Sequence, residues 1–191
     1  MTKEQALQIF KDSGALLEGH FLLTSGLHSP QYFQCAKVLQ YPQYAEQLCK
    51  VIADHFSDQK VDCVVSPAIG GIVAGQEVGR LLNARAIFAE RENDQMSLRR
   101  GFDIKPGERV LAVEDVVTTG GSVREVITMA RERGAEVVGA AFIVDRSGGH
   151  AEFDVPFFSV FSMDVITYYA DECPLCKAGS DPVKPGSRKI K

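Results

Sequence analysis

The stretch Val110-Leu-Ala-Val-Glu-Asp-Val-Val-Thr-Thr-Gly-Gly-Ser122 decides how the rest of the chain is read. Val110 to Val113 form an apolar run too short for a helix and suited to a parallel strand covered on both faces. Glu114 and Asp115 follow at the end of that strand, and the carboxyl edge of an open α/β sheet is where ligands bind. Thr118, Thr119, Gly120, Gly121 and Ser122 come next. The glycines reach backbone geometries closed to other residues, while hydroxyls and amide N–H groups turn toward one centre. Val123, Val126, Ile127 and Ala130 then recur at helical spacing up to Gly134, so a helix starts near Ser122 with its N-terminus at the loop. Together these features suit a ligand with a phosphate at one end and hydroxyls nearby, such as a phosphorylated sugar.

Composition narrows the partners. A chain of 191 residues fits one domain with a substantial core. With 21 basic against 25 acidic residues and a net charge of −4, it lacks the footprint of a nucleic-acid binder. The polar Met-Thr-Lys-Glu-Gln start and the lack of any apolar stretch of membrane length lead us to expect a cytoplasmic protein without a membrane partner. Five cysteines, an odd number, argue for reduced thiols, with Cys35, Cys49 and Cys63 as small buried residues.

The 110–122 stretch resembles the thirteen-residue signature of the type I phosphoribosyltransferases. It is not a nucleotide-triphosphate loop, since no Gly-x-x-x-x-Gly-Lys precedes it, nor does it have the G-x-G-x-x-G spacing of dinucleotide folds. The resemblance implies that Glu114 and Asp115 hold the ribose hydroxyls of 5-phosphoribosyl-1-pyrophosphate (PRPP). It also implies that Val116, Val117, Thr118, Thr119, Gly120, Gly121 and Ser122 surround the 5-phosphate.

Upstream, Thr2 and Gln5 form a capping box for a first helix whose apolar face is Ala6, Leu7, Ile9 and Phe10, expected to pack as a lid element. Gly19 to Lys37 reads as short strands broken by Gly26 and Pro30, a small antiparallel unit. Ser25, Gly26, Ser29, Pro30, Tyr32 and Phe33 resemble the hood pattern of the orotate phosphoribosyltransferases. That likeness implies a Tyr32–Phe33 wall for a planar pyrimidine, which stacking favours by ~1–3 kcal/mol. Thr24 stands where that family commonly has lysine, and a hydroxyl does not replace an ammonium charge.

Pro42 opens a helix to about Phe56, and Asp62 to Ser66 is a second buried strand. The turn from Pro67 to Gly75 again joins a strand to a helix N-terminus, and it resembles the superfamily's pyrophosphate loop, implying roles for Ala68, Ile69, Gly70 and Gly71. Gly70 occupies a position where many orotate enzymes have lysine, so backbone groups must take its place. A helix over 72–82 and a strand at Ala86 to Ala89 lead into a polar segment, 90–108, long enough to read as a mobile lid over a water-sensitive reaction. By resemblance its Arg91, Arg99 and Arg100 stabilise pyrophosphate, in the neighbouring site of a homodimer; a guanidinium fork suits phosphate oxygens. Glu90, Glu92, Asp94 and Asp103 balance its charge.

Val137 to Val144 is a further strand, and Arg146 follows at the sheet edge, placed to pair with a ligand carboxylate. The resemblance sets Arg146 beside the pyrimidine together with Tyr32, Phe33 and Thr118. Strands are expected at Val155 to Phe161 and Val165 to Tyr169, the second returning to the hood, with a loose tail beyond Gly179. Cys173 and Cys176 offer two thiolates, whereas a closed zinc site needs four ligands, and His20 and His150 lie far off in sequence.

The alternation of strands and helices implies a three-layer α/β domain with a mostly parallel central sheet. We expect one domain over 1–191, with a core of about 41–162 and a hood built from about 1–40 and 163–180. The resemblance implies orotate phosphoribosyltransferase activity, converting orotate and PRPP to orotidine 5′-monophosphate and pyrophosphate in UMP biosynthesis. Mg²⁺ is expected as cofactor, held mainly through PRPP. A purine phosphoribosyltransferase and a non-catalytic PRPP-sensing regulator are the alternatives.

Overall fold

A computed structural model describes residues 1–23, 25–93, 95–163 and 166–185. The expectations placed on Thr24, Asp94 and Val165, and on the tail from Gly186, lie outside the described residues.

In chain order the elements are α1 (Lys3–Asp12), β1 (Leu16–Leu22), β2 (His28–Phe33), α2 (Cys35–Leu39), α3 (Pro42–His55), β3 (Cys63–Pro67), α4 (Gly71–Leu82) and β4 (Arg85–Glu92). Then come β5 (Gln95–Leu98), β6 (Arg109–Val117), α5 (Gly121–Glu132), β7 (Glu136–Asp145), β8 (Phe157–Ser162) and α6 (Pro174–Lys177). Six strands form the main sheet in the order β5-β4-β3-β6-β7-β8, and β1 with β2 makes a separate antiparallel pair. All pairings in the main sheet are parallel except β4 with β5.

One apolar layer lies on each face. Ala45, Leu48 and Ile52 of α3, Ala74 and Val78 of α4, and Ala6, Ile9 and Phe10 of α1 pack on one side. Val123, Val126, Ile127 and Ala130 of α5 cover the other, together with Ile104 and Val155. Strands of such a sheet are buried on both faces, which is why β6 and β7 read as near-continuous apolar runs.

Five differences from the sequence expectations concern the site. First, β6 does not stop at Val113; it runs through the acidic pair to Val117 because β7 continues to pair with it, Glu114 opposite Phe142 and Val117 opposite Asp145. Second, the 90–108 segment is not all loop. β4 extends to Glu92 and returns as β5, with Glu92 opposite Gln95, and Asn93 at φ 48° enters the turn as asparagine tolerates. The edge strand is only four residues long, and its Gln-Met-Ser-Leu alternation is too short to stand out within a polar segment. Third, α1 is a core helix and no lid, since Phe10 is fully buried and meets Phe161 edge-on with ring centroids 5.2 Å apart. Fourth, the expected strand at 165–169 appears in its described part as a single bridge, Tyr168 opposite His28. Fifth, in the described part of the tail, residues 180–185, the chain is tied back, because Val183 N–H donates to His20 O (2.8 Å) and Leu22 N–H to Val183 O (2.9 Å).

Candidate active site

From β3 the chain crosses through α4 to β4 on one side, while from β6 it crosses through α5 to β7 on the other. The adjacent β3 and β6 thus mark the topological switch point, where the loops leaving the strands diverge and open a crevice. β6 pairs with β3 only from Val110 to Ala112, so Glu114 and Asp115 project beyond that ladder while β7 still supports them. Both carboxylates are largely buried, at 7% and 8% exposure. Asp115 N–H donates to Glu114 Oε1 at 3.2 Å.

The turn after β3 closes on this pair. An added Cβ at Gly70 would lie 2.7 Å from Asp115 Oδ1, and one at Gly71 would lie 2.9 Å from Glu114 Oε1. The two glycines are therefore required by close approach, and residues 68–71 belong to the same cleft as the acidic pair. Ser66 Oγ, at the root of this turn, is buried without a hydrogen-bond partner.

On the other side of the pair, Glu114, Val116, Val117, Thr118, Thr119, Gly120, Gly121 and Ser122 line one small polar pocket. Gly120 sits at φ 77°, and its missing Cβ makes room for Phe153, whose Cζ would be only 2.7 Å away. No side chain caps α4 or α5, so each helix presents free backbone N–H groups to its loop. Arg124, which sequence reasoning missed, braces the loop from behind: its guanidinium donates to Thr119 O and to Glu152 O, the latter at 3.0 Å, and lies over the Phe153 ring. Its position one turn into α5 was the only available signal, and an arginine there reads as an ordinary helix surface residue.

Arg146 joins the hood to this cleft. Its N–H donates to Val117 O at 2.8 Å, which continues the ladder one residue past β7. Its guanidinium carbon lies 5.7 Å from the Tyr32 ring centre and 5.8 Å from that of Phe33. Three of the four residues assigned to the base by resemblance therefore meet in space, the fourth, Thr118, lining the pocket after β6; Phe33 is itself core, 2% exposed and packed on Phe10, while Tyr32 remains partly open. Arg146 Nε is buried with no hydrogen-bond partner. Burial lowers this guanidinium from its ordinary pKa, with Tyr32 and Cys35 opposing that, yet arginine keeps its charge. Cys35, behind the acidic pair, has its thiol pushed up by burial first and by Asp115 second.

The loop arginines are engaged elsewhere. Arg91 pairs with Glu125 of α5 at 2.9 Å, Arg99 lies 3.7 Å from Glu92, and Arg100 holds Glu90 through two bonds of 2.8 and 2.9 Å. The Arg100 pair draws the Glu90 carboxyl below its usual range. Arg100 and Gly101 occupy a tight turn at φ 57° and 76°, closed by Phe102 N–H on Arg99 O.

Residues 36–172 match the family model described as a phosphoribosyl transferase domain. The chain is 55% identical over the full length of both proteins to the orotate phosphoribosyltransferase of Caldicellulosiruptor saccharolyticus. The chain belongs to the orotate phosphoribosyltransferase family. A second relative of that name, from Caldanaerobacter subterraneus subsp. tengcongensis, is 54% identical over all of both chains. Among solved structures, the orotate phosphoribosyltransferase from Aeropyrum pernix superposes with a TM-score of 0.70 at 25% identity, covering 82% of this chain and 92% of that one. Within the orotate phosphoribosyltransferase family fold, the acidic pair, the loop 116–122, the turn 68–71 and Arg146 all fall at the carboxyl edge of the sheet. Among the described residues no helix is long and apolar enough to cross a membrane.

Proposed function

We propose that this chain transfers the 5-phosphoribosyl group of PRPP to N1 of orotate, giving orotidine 5′-monophosphate and pyrophosphate. The observation that carries the choice of base is Arg146: a half-buried guanidinium whose Nε is buried and unpaired, set over Tyr32 and next to the acidic strand. A cation so placed demands an anion, and orotate carries a carboxylate that uracil and the purines lack. Tyr32 supplies a flat partner for the ring.

PRPP fits along β6. The uncapped start of α5 and the hydroxyls of Thr118, Thr119 and Ser122 receive the 5-phosphate. Glu114 and Asp115 hold the ribose hydroxyls and favour the positive charge that develops on the sugar. Ala68, Ile69, Gly70 and Gly71 offer backbone groups to the pyrophosphate at the uncapped start of α4. The C1–N1 bond forms as the C1–O bond breaks; the electron pair of the C1–O bond leaves on pyrophosphate, and the N1 proton of orotate is given up to pyrophosphate or solvent. Little covalent work falls to the protein; orientation and placed charge supply the acceleration.

Carboxylate oxygens beside open glycine backbone suit Mg²⁺, which takes one or two carboxylates plus substrate oxygens. Glu114 and Asp115 would sit nearest to it, and when bound it neutralises charge on pyrophosphate. Arg91, Arg99 and Arg100 exchange their present carboxylate partners for pyrophosphate as the 90–108 segment closes, across a homodimer interface in our reading. A cytoplasmic location accords with this chemistry.

The test is turnover with PRPP, Mg²⁺ and one base at a time. Orotate consumption matched by pyrophosphate release, with adenine, hypoxanthine and uracil inert, is the expected result. Turnover of a purine, or PRPP binding without turnover, contradicts the reading.

A further inference from the structure

Away from the cleft, His20, His28, Cys173 and Cys176 bring one ligand atom each to a common point, all within 4.8 Å of one another. We propose that they form a structural zinc site that fastens the β1–β2 hairpin to the C-terminal segment.

Three of the distances are those of a tetrahedral site, and the two ring nitrogens lie closer together than that. Zn–S bonds of about 2.3 Å and Zn–N bonds of about 2.0–2.1 Å place ligand atoms about 3.3–3.8 Å apart. Cys173 Sγ lies 3.5 Å from His20 Nε2, Cys176 Sγ lies 3.3 Å from His28 Nδ1 and 3.7 Å from His20 Nε2, and the two ring nitrogens are 2.9 Å apart. Two sulfurs and two imidazole nitrogens are a donor set that selects zinc over magnesium or calcium.

The tautomer of His20 is set from outside. Its Nδ1 lies 2.9 Å from Ser180 O, a carbonyl that can only accept, so the proton sits on Nδ1 and the lone pair of Nε2 faces the cluster. A carbonyl behind a ligating imidazole is the usual outer support of a zinc site. Backbone geometry agrees: the β1–β2 register slips between Glu18 and Phe21, and the extra residue of such a bulge re-aims the side chains beside it, His20 among them.

Burial gives the site its purpose. His20 and His28 are each 6% exposed and Cys173 is fully buried. From 166 to 185, Cys173 is the only described residue that is buried, whereas Ile166, Tyr169 and Val183 are more than half exposed. A segment with so little apolar burial has no hydrophobic means of docking, and α6 has only four residues. What fixes it are the backbone bonds of Tyr168 and Val183 to the hairpin and this four-ligand cluster. With all four positions filled by protein atoms the metal is closed to substrate, hence structural. Metal binding at such a point is folding energy for the segment it closes. The site does not depend on the reaction assigned to the cleft.

The experiment uses the full untagged chain purified without chelator. Elemental analysis is expected to find about one zinc ion per chain, falling below about a tenth in the Cys173→Ser/Cys176→Ser variant. Replacement by Co²⁺ in the intact chain should give the visible bands of tetrahedral cobalt and a thiolate-to-cobalt charge-transfer band. This readout needs neither turnover nor a folded variant. Zinc well below one per chain after incubation with excess Zn²⁺, a cobalt spectrum without the thiolate band, or full zinc retention by the double variant overturns the proposal.

Discussion

The acidic strand and the hood are held by opposite means. β6 lies in the middle of six strands, with apolar layers on both faces, and its carboxylates are aimed by a core that includes Leu111, Val113 and Phe142. The hood is two strands, seated on the core through Phe33, plus a C-terminal segment that contributes almost nothing to any core and is held by a few backbone bonds and a polar cluster. A fold can thus separate precision from adaptability: under the proposed function the sugar phosphate would meet a rigid edge, while the base would meet a part fastened at points. Arg146 crosses between them, anchored by its backbone on β6 and reaching over Tyr32.

The largest break should come on the rigid side. Asp115→Asn removes a placed charge without changing shape, and steady-state assays should show kcat lowered about 10²–10³-fold with Tm little changed. On the hood side, stripping the metal with a chelator should raise the rate of proteolysis within 166–185 by at least about tenfold, since access tracks local opening. The α5 and β6 amides should keep their hydrogen-exchange protection under the same treatment, and loss of protection in both regions would erase the contrast.

At the junction, Arg146→Met should raise KM for orotate about 10–100-fold while KM for PRPP moves much less, because a lone bidentate cation is exchanged for an apolar stem. Smaller again is Gly120→Ala, which forces a side chain into φ 77° against Phe153 and should lower stability by about 1–3 kcal/mol in denaturant titration. A separate effect concerns pH. Burial pushes the Cys49 thiol up to about 12 and Cys63 up to about 11. Above the ordinary thiol range, near pH 9, the unfolded chain loses these protons while the folded chain keeps them, so stability should fall as pH rises from 9 toward 11. The same burial predicts that Cys35, Cys49 and Cys63 resist alkylation at neutral pH, whereas Cys173 and Cys176 react once metal is removed.

What could be read from the chain follows the same division. The strand, acidic pair, glycine loop and helix of 110–134 are contiguous, so their order in sequence is their order in space. The turn at 67–75 was legible for the same reason, and Arg146 because it follows a clear buried strand. Harder to read was how far β6 extends, since that depends on the length of its partner β7 and not on its own text. The hairpin of β4 and β5 was illegible because β5 has only four residues, Gln-Met-Ser-Leu, at the short limit of any alternation that marks a strand. The His/Cys cluster was least legible: 153 positions separate Cys173 from His20, and His28 gave no local sign of being a ligand. α2 and α6 are too short to show a helical period.

The overhang of β6 past β3 carries a final consequence. Because the carboxylates of 114–115 and the loop of 118–122 lie on one uninterrupted backbone braced by β7 and by Arg124, the span between them cannot stretch to suit a guest. That span acts as a ruler. Under the proposed function, a sugar whose phosphate sits one carbon further from its hydroxyls would satisfy one end or the other, so the backbone that spaces the two ends would itself favour a pentose.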